Sequence, residues 1–439
     1  MNSLYFTPRP VNDFPEFIET YYRRCQQECP EIEGSAGKWK FEDLIPGLSD
    51  FDTRFLTRNG LTSEDWNRLS MAVGRTHLEL ALERPEWART LEHLPGVNLT
   101  WDELFDPASF YPEFCQWSFH CGQADTVGNA SAFFGEKAWS DTDAVYHWKR
   151  IALYYGRYNR SIDPPINLGR FESKYPLHSR YLHYLAPPVH SAVCLMEKKT
   201  RPGKLDAFHT AGRMFPQPEV MEIVLDGINR HYETPLWYAE PELTNLDLLL
   251  EKYLAGVVNT LIDADGTLDC PRNPSVEELC AAMVQLPKTP PISVFFENIK
   301  FARFMKGRLW FYAHEVAWFD SPPLIRIELG RLAKNFLVTP LELFSQEILG
   351  RKLPWKAVLD ELSACGFSAH EIRICRDFHR IADPNAPVSE YRLRASQLVD
   401  IYSDFLNVLE RISLIARRAM SPPKKDILPV TCPNLPFHP

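Results

Sequence analysis

From about residue 242 the chain is punctuated as a succession of helices, and that punctuation most constrains what it can fold into. "SVEELCAAMVQL" opens with Ser275 and Glu278 three residues apart, the spacing at which a hydroxyl and a carboxylate cap each other's backbone N–H groups. "SAHEIRICRDFHRI" repeats the device with Ser368 and Glu371. "TPLELFSQEILG" reads as a further helix, with Thr339 as cap, Pro340 in the first position and Gly350 just past the end. "LTNLDLLLEKYLAGVVNTLI" and the terminal "VSEYRLRASQLVDIYSDFLNVLERISLIARRAM" read as one helix each. Residues 241–420 are therefore expected to form a helical domain, and the Pro-rich residues 421–439 an extended tail.

The first 240 residues read differently. Residues 12–29 form a helix, capped by Asn12 or Asp13, with Phe14, Phe17, Ile18, Tyr21 and Tyr22 as its apolar face. Thr62 and Asp65 open a second helix that carries Trp66, Leu69, Val73, Leu78 and Leu82 at helical spacing. From about 95 to 235 strand-like runs ("FCQWSFHC") mix with helical ones ("DAVYHWKRIALYYGRYNR"), and no boundary can be set from pattern alone. The expected class is α+β: a small mixed-sheet N-terminal domain over 1–240, then the helical domain.

The chemistry is concentrated in "EGSAGKWKFEDLIPGLSDFDTRFL", residues 33–56. Asp50 and Asp52 flank Phe51 ahead of a strand-forming "TRFLT", and on a strand residues two apart share one face. Two adjacent carboxylates repel each other, and a divalent cation between them removes the repulsion. Mg²⁺ takes hard oxygen ligands and is commonly held by one or two carboxylates together with substrate phosphates. Upstream, Gly34 and Ser35 offer close backbone approach and a hydroxyl for phosphate oxygens. Lys38 and Lys40 lie in the connecting loop, Ser49 directly precedes Asp50, and Arg54 shares the face of Asp52. A basic stretch farther on, with Lys198, Lys199, Arg201 and Lys204, adds cations that could close over phosphates.

Gly34-Ser35 followed by Asp50-Phe51-Asp52 resembles the signature of the DNA polymerase β-like nucleotidyltransferase superfamily. The resemblance covers about residues 12–105 and includes the helix–strand–loop–strand order. It implies that Asp50 and Asp52 bind Mg²⁺ or Mn²⁺ ions accompanying a nucleoside triphosphate such as ATP. It also implies that Gly34 and Ser35, with Lys38, Ser49, Arg54 and Lys204 nearby, hold the nucleotide. A third carboxylate on a later strand would activate the acceptor. "VNLTWDEL" offers Asp102, if that segment is a strand; the alternatives are that Thr100 and Glu103 make a capping box with Asp102 in a first helical turn, or that Glu92 supplies the group.

Composition narrows the partners. The chain has 439 residues, 45% apolar, and a formal charge of −9, which speaks against a polynucleotide binder and for a small-molecule or protein acceptor. Ten cysteines without a CxxC pair read as reduced thiols of a cytoplasmic protein, and the short ligand spacings of a structural zinc site are missing. His178, His183, His190 and His209 match no standard metal motif and read as packing residues. No secretory leader or membrane span is expected. The rival readings are a glycosyltransferase whose Asp-x-Asp holds Mn²⁺ with a nucleotide sugar, and a non-catalytic helical scaffold on a degenerate nucleotidyltransferase fold.

Overall fold

The computed structural model describes residues 13–40, 43–44, 49, 52–84, 87, 96–109, 111–158, 177–233, 240–265, 268–314 and 321–420. The chain opens with α1 (Asp13–Glu28), β1 (Ile32–Gly37), β2 (Thr53–Thr57), α2 (Ser63–Glu83), β3 (Asn98–Thr100) and α3 (Trp101–Phe105). After 3₁₀ turns at Pro107–Ser109 and Pro112–Gln116 come β4 (Ser118–Gly122) and α4 (Ala124–Glu136). The four strands make one mixed sheet in the order β3-β2-β1-β4, with β1 antiparallel to both neighbours and β2 parallel to β3.

Strand alternation divides the sheet's two faces. Phe55 packs with Tyr21 of α1 and Trp66 of α2, while the next residue, Leu56, packs with Ala36, Leu99, Trp101 and Phe114 on the other side. Gly34 is needed on that second face: a Cβ there would lie 3.1 Å from the Trp101 indole.

A helical unit follows, made of α5 (Asp141–Tyr158), α6 (Leu177–Glu197), α7 (Lys204–Met214), α8 (Pro218–Glu233), α9 (Glu240–Asp265) and α10 (Val276–Ala282). Its own core contains Trp148, Val189, Phe208, Val224, Tyr253 and Leu279. The last helices are α11 (Pro291–Ala302), α12 (Met305–Ala313), α13 (Ser321–Arg331), α14 (Thr339–Glu347), α15 (Trp355–Ala364), α16 (Ala369–Ile381) and α17 (Tyr391–Met420). These do not form a core of their own. Phe296, Leu309, Phe378 and Phe405 share one with Phe17, Tyr21, Phe55 and Trp66. The boundary read near residue 240 thus falls inside the middle unit, because α9 packs on α5 and α6, and the C-terminal helices belong with α1 and α2.

Three capping boxes read from sequence are present, at Thr62/Asp65, Ser275/Glu278 and Ser368/Glu371. Thr339 is not a cap. The backbone is already helical at Val338 (φ −61°, ψ −56°), and a π-helical stretch, Leu332–Val338, joins α13 to α14. A wider turn accommodates Pro340, which has no N–H for the α-helical ladder. Gly350 does follow the helix, with φ +64°. The tail from 421 lies outside the described residues.

Candidate functional site

The loop from β1 to β2 returns to the sheet at Asp52, the residue just before Thr53. Gly37 pairs with Thr53, so Lys38 and Asp52 stand at the same end of the two strands. Arg54 is buried and lies 2.9 Å from the Glu113 carboxylate and 3.6 Å from that of Asp52. Lys38 reaches the other Glu113 oxygen at 3.2 Å. Burial by itself would raise the Glu113 pKa, but Lys38 and Arg54 more than reverse this and hold it at about 2. Glu113, from the turn that leads into β4, therefore serves as a fixed anion that orients two cations beside Asp52.

The middle helical unit closes over this end of the sheet. Arg150 of α5 is buried and donates to Gln116 at 2.8 Å, with Tyr146 one turn before it. Lys204, the first residue of α7, is buried and donates to the Ser49 hydroxyl at 3.3 Å. The loop is pinned there by Asp43, whose carboxylate accepts from the Leu205 backbone N–H at 2.8 Å, at the positive end of α7. Burial keeps the Asp43 carboxyl above its usual range despite that bond. The polar seam between the β1–β2 segment and the helical unit thus holds two groups: Lys38, Asp52, Arg54 and Arg150 about Glu113 and Gln116, and Lys204 with Ser49.

Other expected site residues lie elsewhere. Gly34 pairs with Leu56 and Ser35 with Phe55. At about 3.3 Å per residue they stand ~13 and ~10 Å along the strand from the level of Asp52. Ser35 is fully buried and, paired with Phe55, faces the opposite side of the sheet from Arg54. The expected phosphate seat at Gly34-Ser35 is therefore not part of the seam; the pair lets β1 pass between β2 and β4 under Trp101.

Asp102 is also displaced from its expected role. Thr100 and Glu103 form a capping box, and Asp102 sits exposed in the first turn of α3. Parallel pairing sets Thr100 level with Thr57, at the far end of β2 and roughly 16 Å from Asp52 at the rise of a strand. Asp50 and Glu92 lie outside the described residues. In the basic stretch, Arg201 is paired with Glu197 and Asp206, Lys198 and Lys199 are exposed, and Lys204 alone enters the seam.

Asp52 could offer a hard carboxylate oxygen to a divalent ion, with Arg54 3.6 Å away. Glu113 contributes nothing to such an ion, since Lys38 and Arg54 engage its two oxygens. Sequence reasoning missed Glu113 and Arg150, because neither belongs to a local motif and only the tertiary fold brings Glu113 near Asp52 and Arg150 near Glu113. No protein-family model, curated protein or solved structure matches the chain. Among the described residues, no helix is long and apolar enough to cross a membrane.

Proposed function

We propose that the chain is a metal-dependent nucleotidyltransferase that moves a nucleoside monophosphate from an NTP to a small-molecule or protein acceptor in the cytoplasm. The observation that carries this reading is the seam at Asp52, a carboxylate 3.6 Å from buried Arg54 and near Lys38, with Arg150 and Lys204 of the helical unit bonded to the neighbouring Gln116 and Ser49. Such a cluster costs desolvation energy that a bound polyanion offsets. In this reading Lys38, Arg54 and Lys204 bind and orient the phosphates, and Asp52, with Asp50, holds the divalent ion. That ion, when bound, neutralises charge as the α-phosphate bond to pyrophosphate breaks and the bond to the acceptor forms. This reading assigns no role to Asp102, which lies in the first turn of α3 level with the far end of β2.

A second reading rests on its own observation. Of the three expected carboxylates, only Asp52 stands at the seam among the described residues, and it is close to Arg54. That arrangement favours a non-catalytic protein that uses the same fold to bind a partner.

Calorimetric titration with each of the four NTPs, with and without Mg²⁺, separates the two. The transferase reading expects Mg²⁺-dependent binding of one NTP, lost in a folded Asp50→Asn/Asp52→Asn variant. No NTP bound by the wild type, or binding unchanged in the variant, overturns it. Binding of a nucleotide sugar in place of every free NTP would move the chemistry to glycosyl transfer.

A further inference from the structure

Behind the seam, α5 and α6 bring three potential metal ligands together. His147 comes from α5, and His190 and Cys194 come from one face of α6, four residues apart. All three are buried, and their ligand atoms lie within 4.8 Å of one another. The donor set, two imidazoles and a thiol, is one that zinc prefers.

The hydrogen bonds around the group fix which atoms are left to bind. The Nε2 of His190 lies 2.6 Å from the Arg201 carbonyl oxygen, which can only accept, so Nε2 carries the proton and Nδ1 keeps a lone pair. The Nδ1 of His147 lies 3.0 Å from the Ser191 hydroxyl, while its Nε2 is buried without a partner. A buried ring nitrogen with no partner is costly unless something fills the space beside it. The Arg201 backbone N–H donates to the Cys194 sulfur at 3.4 Å, an interaction that favours the thiolate. Each ligand is therefore held through an atom other than its binding atom, or braced at it by a backbone donor, the outer-shell arrangement seen around metal ions.

Trp139 stacks on His147 with ring centres 5.4 Å apart, and Trp39 packs edge-on against His190 at 5.0 Å. These ring contacts restrict imidazole rotation. Burial holds both imidazoles neutral, the form a metal needs, and keeps the Cys194 thiol protonated until an ion displaces its proton.

We propose that His147 Nε2, His190 Nδ1 and Cys194 Sγ bind a zinc ion that clasps α5 to α6. Tetrahedral zinc ligands lie about 3.4–3.7 Å apart, given Zn–N and Zn–S lengths near 2.0–2.1 and 2.3 Å, and Cys194 Sγ already lies 3.8 Å from His190 Nδ1. Binding releases the thiol proton to solvent, and the thiolate offsets part of the added charge opposite Arg150. The fourth position takes water. Because the Arg201 backbone contacts both His190 and Cys194, the ion also fixes the turn that delivers Lys204 to the seam. The site does not depend on the nucleotidyltransferase reading.

The test uses the full-length chain stripped with a chelator and titrated with Zn²⁺ and then, as a spectroscopic probe, Co²⁺. The wild type is expected to take up about one ion per chain and to show thiolate-to-cobalt charge-transfer absorption. Cys194→Ser should abolish that absorption, and His147→Gln should lower the affinity at least tenfold. Ser191→Ala, which removes only the hydroxyl behind His147, should weaken binding by about 10-fold. A folded wild type, checked by circular dichroism, that binds neither ion overturns the proposal. So does a charge-transfer band that persists unchanged in folded Cys194→Ser.

Discussion

At the scale of single residues, Glu113 decides how the seam can exist at all. Three cationic side chains, Lys38, Arg54 and Arg150, crowd the start of β2, and Glu113 compensates two of them at 2.9 and 3.2 Å. Removing one partner of a buried ion pair leaves the other uncompensated, at a cost of about 3 kcal/mol or more. Glu113→Gln is therefore expected to lower stability by about that much in denaturant unfolding, although it keeps the side chain's volume. The pH dependence follows. Glu113 and Glu103 are both held at about 2 in the folded chain against an ordinary 4.5; burial would raise them, but Lys38 and Arg54, or Arg303 with Arg417 and Lys300, lower them further. The folded state thus binds fewer protons than the unfolded chain in this range. Their stabilisation is complete above about pH 4.5 and is lost as the pH falls toward 2. Unfolding free energies measured between pH 6 and 3 should fall on the acid side, with a shallower slope in Glu113→Gln. Equal slopes in both proteins would contradict the charge assignment.

At the scale of elements, α2 and α12 cross in close contact. A Cβ on Gly307 would lie 1.8 Å from the Ser70 carbonyl oxygen, and one on Gly74 would lie 2.7 Å from the Gly307 carbonyl oxygen. The Gly307 N–H also donates to the Ser70 hydroxyl at 2.8 Å, so the backbones meet without side chains between them. Gly307→Ala should destabilise by roughly 2–3 kcal/mol, since both backbones would have to separate. Gly256→Ala in α9 has open space around it and should have the opposite sign, stabilising by ~0.5–1 kcal/mol through helix propensity. Thermal unfolding of the two variants checks the pair. Neither glycine stands out in sequence, because a close approach is a property of two helices. The capping boxes were legible, because their partners are three residues apart. Helix α6 was not, because Pro187 and Pro188 lie inside it and proline ordinarily ends a helix. The i,i+4 spacing of His190 and Cys194 was therefore not read as one face, and His147 was hidden in a helix that reads as aromatic core.

At the scale of the whole molecule, the termini of the described chain share one core. Trp66, Leu69 and Val73 of α2 belong to the same apolar cluster as Leu309 of α12 and Phe405 and Leu409 of α17. An ion network reinforces it: Arg303 bridges Glu103 and Glu410, and Arg417 reaches Glu103 and Asp106. A fragment of residues 1–240 would expose the C-terminal-facing side of α2 and cut the middle unit at α9. Expressed alone, it should be insoluble or lack cooperative unfolding, while the full chain unfolds cooperatively. A soluble, cooperatively folded 1–240 fragment would show that the shared core is dispensable. The sheet and the middle unit meet at the seam, so the site depends on long-range packing as well as on the β1–β2 segment that supplies Asp52.

The sequence by itself determined what depends on neighbours a few residues apart: the α+β class, the caps of α2, α10 and α16, the strand after Asp52, and the presence of Lys38 and Arg54 beside it. It also contained both outcomes for Asp102, since Thr100 and Glu103 are spaced for a capping box. Tertiary structure decided the rest. It placed Ser35 on the opposite face from Arg54, set Asp102 at the far end of the parallel pair, brought Glu113 near Asp52 and Arg150 near Glu113, and gathered His147, His190 and Cys194. The physical reason is range. Capping and strand alternation act through adjacent backbone, whereas register, burial and charge compensation depend on which distant segments the shared core brings together.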